Sequence, residues 1–196
     1  MSIWQQPQLP FWLKQHLQQP KTQPVQPPTA QPAAVLLPLH WHASGWQLLL
    51  TQRSELVRTH KGQVALPGGK PELNDRSRTA TALRETWEEI GLPSEAVQVL
   101  GELPPFLGGG EKFWLCPVAA VVPATFPYKP NPAETARVFS IPLAWLADPK
   151  QCWQQSYRDQ LIWFYQPYEG ITLWGMTAQV VQNFVQICHM LETGGL

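Results

Sequence analysis

The chain carries no net charge, because 14 lysines and arginines are balanced by 14 aspartates and glutamates over 196 residues. Without a basic or acidic excess there is no long-range field to draw it to nucleic acid or to an anionic membrane surface. Any phosphate contact must then come from a local site. Cysteine is also scarce. Cys116, Cys152 and Cys188 are an odd number, widely spaced and without a C-x-x-C pair, which disfavours both a disulfide framework and a structural zinc site. They read as small buried hydrophobes in a reducing compartment. No apolar run approaches the roughly 18 residues of a membrane span, and no basic-then-apolar signal opens the chain. The expectation is a soluble cytoplasmic protein with one domain large enough for a substantial core.

Proline and glutamine crowd residues 1–32, where Pro20, Pro24, Pro27, Pro28 and Pro32 oppose regular structure. This stretch reads as an N-terminal arm acting as a tether, with the domain proper at 33–196. Within the arm Phe11, Trp12, Leu13 and Leu17 are apolar at helical spacing, so a short helix over 10–18 can dock on the domain, with Pro10 suited to its first position. Residues 33–39 and 46–53 are apolar runs around a Ser-Gly turn, the pattern of a β-hairpin. Pro38 lacks an amide hydrogen and predicts a sheet edge or a bulge. His40 and His42 alternate without a third ligand nearby and read as surface residues of a strand end.

Further strands are predicted over 97–103, 114–122, 138–141, 157–165 and 171–174, with a helical turn over 143–147 and a helix over 176–191. The Gly108-Gly109-Gly110 run predicts a mobile loop. Pattern alone supports an α+β or α/β domain. Ten tryptophans admit an apolar interface, and with it a homodimer, without locating one.

The densest chemistry lies in GGKPELNDRSRTATALRETWEEIGL, from Gly68 to Leu92. A helix over 77–90 would begin at Asp75 or Ser77 as N-cap and stop at Gly91 before Pro93. Ala80, Leu83 and Trp87 form an apolar stripe for the core. Glu85, Glu88 and Glu89 share a face at spacings of three and four. Three such carboxylates are commonly a solvated face. Here Gly68-Gly69 precedes them, where backbone can approach a ligand, and Arg84 can hold a carboxylate by bidentate hydrogen bonds. A hard divalent cation, Mg²⁺ or Mn²⁺, would convert their repulsion into binding.

Arg84-Glu85-x-x-Glu88-Glu89-x-Gly91-Leu92 after a Gly-Gly loop resembles the Nudix box of the Nudix hydrolases. The run from Leu49-Leu50-Thr51-x-Arg53-Ser54, through Arg58 and Gly62, to Gln63-Val64-Ala65-Leu66-Pro67-Gly68-Gly69 is similar to the signature of their coenzyme A pyrophosphatase-like branch. Asn131-Pro132-x-Glu134, Ile141-Pro142-Leu143 and Trp174-Gly175-Met176-Thr177-Ala178 also match, so the resemblance covers roughly residues 33–190. Two positions depart from it. The general box places a glutamate where Arg76 stands, whereas Asp75 fits the branch. Leu66 replaces the branch's usual phenylalanine.

The resemblance implies a mixed β-sheet sandwiched between helices and metal-dependent hydrolysis of a diphosphate linkage. Glu85, Glu88, Glu89 and Gly69 would hold the metal, and Arg53, Arg58 and Gly68 would bind substrate. Glu85 or Glu134 would be the base, and Arg84 would complete the catalytic set. The implied substrate is coenzyme A or an acyl-CoA, split to 3′,5′-ADP and the phosphopantetheine moiety. ADP-ribose, NADH or a similar nucleotide is the alternative, and a non-catalytic nucleotide-binding module is a second one.

Overall fold

The computed structural model describes residues 2–18, 24–43, 45–57, 59–157 and 160–194. Its elements, in chain order, are α1 (Leu9–Gln18), β1 (Gln31–His42), β2 (Gly45–Arg53), β3 (Val64–Ala65), β4 (Gly68–Gly69) and α2 (Arg78–Ile90). There follow β5 (Gln98–Glu102), β6 (Phe106–Gly108), β7 (Phe113–Val121), β8 (Thr135–Pro142) and α3 (Leu143–Leu146). The chain ends with β9 (Cys152–Tyr157), β10 (Gln160–Tyr165) and α4 (Gly175–Glu192). Strands β1 to β8 build one mixed sheet, while β9 and β10 form a separate antiparallel pair.

The centre of the large sheet is β1, parallel to β7 on one side and antiparallel to β2 and β4 on the other. Its residues from Leu36 to His40 are all buried, as expected of a strand covered on both faces. On one face Ala34, Leu36, Val118 and Ala120 meet Ala82 of α2. On the other, Leu37, Leu39, Leu115 and Ala119 join Leu9 and Leu13 of α1 and Val181 and Phe184 of α4. The sheet is therefore sandwiched between helices, as the sequence implies.

Several local expectations are corrected. Pro38 lies in this central strand, not at an edge. It is tolerated because β1 changes partner there: β2 pairs from Leu39 onward, and the chain around β4 takes over at Leu36, whose N–H donates to Pro67 O at 2.8 Å. His40 is buried rather than exposed, with Nε2 2.7 Å from Ser140 Oγ, and burial lowers its pKa. Gly108–Gly110 belongs to a tight β6–β7 hairpin in which Gly108 pairs with Phe113. The strand expected over 157–165 is β10 (Gln160–Tyr165), paired with β9 (Cys152–Tyr157), most of which lies outside that expectation, and 171–174 make only isolated bridges to Tyr168 and Phe164.

The N-terminal segment contributes to the main core. Ile3, Trp4, Leu9 and Leu13 are buried in the same cluster as the sheet, and the Trp46 indole donates to Gln6 O at 2.8 Å.

Candidate active site

Helix α2 starts where Ser77 Oγ accepts the Ala80 N–H at 3.0 Å, so Ser77 rather than Asp75 is the N-cap. It ends at Gly91, whose φ of 71° is a left-handed C-cap that a β-carbon would strain. Its packed face differs from the expected stripe. Thr81, Ala82, Thr86, Glu89 and Ile90 are buried, with Leu83 partly buried beside them, while Trp87 is 55 % exposed. Small side chains meet the sheet because the helix axis runs close to it, which leaves no room for an indole.

That rotation gives the three glutamates different degrees of burial. Glu89 is only 6 % exposed. Its carboxyl accepts a hydrogen bond from the Gly68 N–H, and burial, with Glu85 second, pushes its pKa up to about 8. Glu85 is partly buried, and burial raises its pKa while Arg84 lowers it. Glu88 turns outward, and its carboxylate accepts from Arg84 Nη1 at 2.9 Å. Glu88 still acts on Glu85, whose pKa its charge raises, so the three share a side of the helix with Glu89 at its buried edge and Glu88 at its exposed one. Among the described residues no three carboxylate, imidazole or thiol side chains are gathered tightly enough to hold a metal ion by themselves.

A further acid, exposed, comes from elsewhere in the chain. Glu134 lies close enough to Glu85 and Glu89 to raise the pKa of both. Its loop is fastened at each side by backbone. Asn131 N–H donates to Glu89 O at 2.9 Å, and Ser54 N–H to Glu134 O at 2.8 Å. Asn131 Oδ1 accepts the Ala133 N–H, a turn an asparagine before proline favours.

Opposite these acids sits Arg53. It is the cation that opposes the rise in the Glu89 pKa, and its Nε is buried without a hydrogen-bond partner. Gly69 pairs with Ala34 on β1, and a β-carbon there would collide with the Glu85 carboxyl. Gly68, read from sequence as a substrate contact, instead spends its amide on Glu89. Arg58 lies outside the described residues.

Arg84 is the organiser of this region rather than a group facing a reacting atom. Its Nε and Nη2 donate to Asp75 at 3.2 and 3.1 Å, and Nη2 also reaches Glu85 at 3.0 Å and Lys70 O at 2.9 Å. Asp75 is held in turn by Thr81 Oγ1 at 3.0 Å and the Glu72 N–H at 2.9 Å, and Arg84 draws its pKa down to about 2. Arg76, at the position of the general box's glutamate, is exposed. The signal for Asp75 as Arg84's partner was its place one residue earlier.

Glu85 and Glu89, with Glu134 and the Arg53 cation nearby, form a hard-oxygen set in which burial chiefly, and neighbouring carboxylates in addition, disfavour the ionised forms. Such a set suits a hard divalent cation.

Comparison with known proteins agrees with this geometry. The NUDIX domain profile matches residues 31–164. The uncharacterised Nudix hydrolase NudL of Pectobacterium atrosepticum is 39 % identical over 170 residues, covering 80 % of this chain and 85 % of the relative. The NudL of Photorhabdus laumondii is likewise 39 % identical, over 158 residues and 79 % and 83 % of the two chains. Among solved structures, the Nudix hydrolase RenU of M. smegmatis superposes with a TM-score of 0.57 at 21 % identity, covering 82 % of this chain and 86 % of that one. A mixed sheet between helices, a glycine loop beneath a glutamate helix and this shared sequence place the chain in the Nudix hydrolase family.

Proposed function

We propose that the protein hydrolyses the diphosphate linkage of a nucleoside diphosphate derivative, with coenzyme A or an acyl-CoA as its substrate and Mg²⁺ or Mn²⁺ as its cofactor. One observation carries the reaction class. Glu134 of a distant loop lies close enough to Glu85 and Glu89 of α2 to add to the rise in both their pKa values, beside an arginine with an unpartnered buried nitrogen.

Glu85 and Glu89, with the Gly69 carbonyl and Glu88 at the margin, would hold the cation. When bound, it supplies neutralising charge for phosphate oxygens. Arg53 binds the diphosphate, its spare N–H meeting an oxygen that water would otherwise serve. Glu134, exposed at the cleft, takes the proton of the attacking water. Glu85 is the rival for that role, but its carboxylate already accepts from Arg84. Arg84 acts through others, fixing Glu85 and Glu88 against Asp75 and the Lys70 carbonyl.

The coenzyme A reading rests on the upstream signature. Leu66, its one smaller residue, is buried in the main core, so the lost volume bears on packing more than on the cleft. Arg76 in place of the general box's glutamate would favour a non-catalytic module, but Asp75 takes up the bond to Arg84.

Incubating the protein with coenzyme A, ADP-ribose and NADH, with Mg²⁺ or Mn²⁺, and separating the products tests the reading. Release of 3′,5′-ADP and phosphopantetheine is expected. Cleavage of ADP-ribose or NADH in preference would overturn the substrate, and no cleavage of any would overturn the reaction.

A further inference from the structure

The edges of a sheet present backbone N–H and C=O groups without partners, and folded proteins cover, blunt or pair them. Two edges here are dealt with. β5 lies against α1, and β8 carries Arg137 and ends in Pro142. β9 differs. Among the described residues it pairs only with β10, through six consecutive pairs from Cys152–Tyr165 to Tyr157–Gln160 with no bulge. Past Cys152 every residue of β9 is exposed, and its sequence, CWQQSY, contains neither charge nor proline.

The hydrogen-bond parity shows which groups the edge offers. Gln166 N–H donates to Gln151 O at 2.7 Å, so Trp153, Gln155 and Tyr157, in step with Gln151, turn their N–H and C=O toward β10. Tyr165 obeys the same alternation, its N–H pointing away from β9 to Leu173 O at 2.9 Å. Cys152, Gln154 and Ser156 therefore direct their backbone groups outward. The hairpin carrying them is braced by stacked rings. Trp153 lies over Phe164 at 5.8 Å and 17°, and Phe164 over Trp174 at 5.7 Å and 4°.

We propose that this edge pairs antiparallel with the same edge of a second copy, centred on Gln154, to give a four-stranded sheet across a two-fold axis. In that register Gln154 opposes Gln154 of the partner subunit, and Cys152 opposes Ser156 of the partner subunit. A two-fold contact needs one strand complementary to itself, and β9 meets that need. Being uncharged, it sets no like charges opposite one another. Gln154 also gives no charge by which to select a foreign peptide, whereas in the self-pairing it meets its own copy. This inference is independent of the hydrolytic reading.

Light scattering of the full-length protein across a concentration series tests it, with three variants. The wild type is expected at twice the chain mass. Gln154→Pro removes an outward N–H that β10 does not use and should give a monomer with an unchanged circular dichroism spectrum. Gln154→Lys and Gln154→Glu each set like charges across the axis and should be monomers alone, while an equal mixture of the two regains the dimer mass. A wild type that stays monomeric overturns the proposal. So does a dimer that survives Gln154→Pro, or a Lys and Glu mixture that fails to associate.

Discussion

Asp75 and Arg84 determine how helix α2 presents its acids. Arg84 binds four acceptors, Lys70 O and Asp75 in the β4–α2 loop and Glu85 and Glu88 on α2, and it lowers the pKa of Asp75 to about 2 from an ordinary 3.8. A carboxyl with a depressed native pKa stabilises the fold fully above its unfolded value, and that contribution is lost as pH falls through the native one. Asp75 should therefore add stability above pH 3.8 and lose it toward pH 2. Asp75→Asn is expected to lower the urea midpoint at pH 6 and to flatten its decline between pH 4 and pH 2; equal acid slopes in both proteins would count against the pairing. This residue was only partly legible in the sequence. Its position was noticed as a departure from the general box, but hydrogen bonding to Arg84 depends on a loop conformation that spacing does not specify.

At the scale of elements, the β4–α2 unit shows why helical periodicity was a sound guide to the element and a poor one to its orientation. The helix limits and the glycine stop follow from caps and are readable from sequence. The buried face is not, since Trp87 looks like a core residue until the closeness of helix and sheet excludes it. With that rotation, Glu89 goes inside and Glu88 out. The close approach has a direct test at Gly69, where a β-carbon would push into the Glu85 carboxyl. The clash is with the end of a side chain, so Gly69→Ala should fold normally and lose about 10²-fold or more in turnover, as when a preorganised charge is displaced. Unchanged turnover would show that Glu85 need not sit against the glycine loop.

At the scale of the whole molecule, the same core cluster takes in both ends of the chain. Ile3 and Trp4 lie near the end of α4, with Trp4 edge-on to His189 at 5.6 Å and the Ile3 N–H donating to Glu192 at 3.1 Å. The proline and glutamine content of residues 1–32 reads as a tether, the helical spacing of Leu13 and Leu17 already reads as a docking helix, and Ile3 and Trp4 are the core side chains that no pattern marks. Leu13 is fully buried among α1, the sheet and α4, so Leu13→Ala should cost about 2–5 kcal/mol in unfolding free energy, as a core cavity does. A loss below about 0.5 kcal/mol would mean that the segment packs loosely. The parallel pairing of β1 with β7, which brings residues 31 and 113 side by side, was beyond local pattern, because register between remote strands is decided by the packing of both faces. The gathering of Glu134 with Glu85 and Glu89 depends on another long-range pairing, that of β8 with β2, and on the Asn131 N–H bond to Glu89 O. It became visible in the sequence only through the family resemblance.

The claim on which the rest turns is that these inward acids are arranged for a divalent cation. Mn²⁺ binding followed by electron paramagnetic resonance, in the wild type and in Glu85→Gln and Glu89→Gln, tests it without any substrate. The account predicts that the wild type removes free Mn²⁺ signal in proportion to added protein, and that each variant binds at least about tenfold more weakly, as losing an acid that orients or ligates a metal does. A wild type that leaves the free Mn²⁺ signal undiminished, or variants that bind as tightly as it does, would contradict the account.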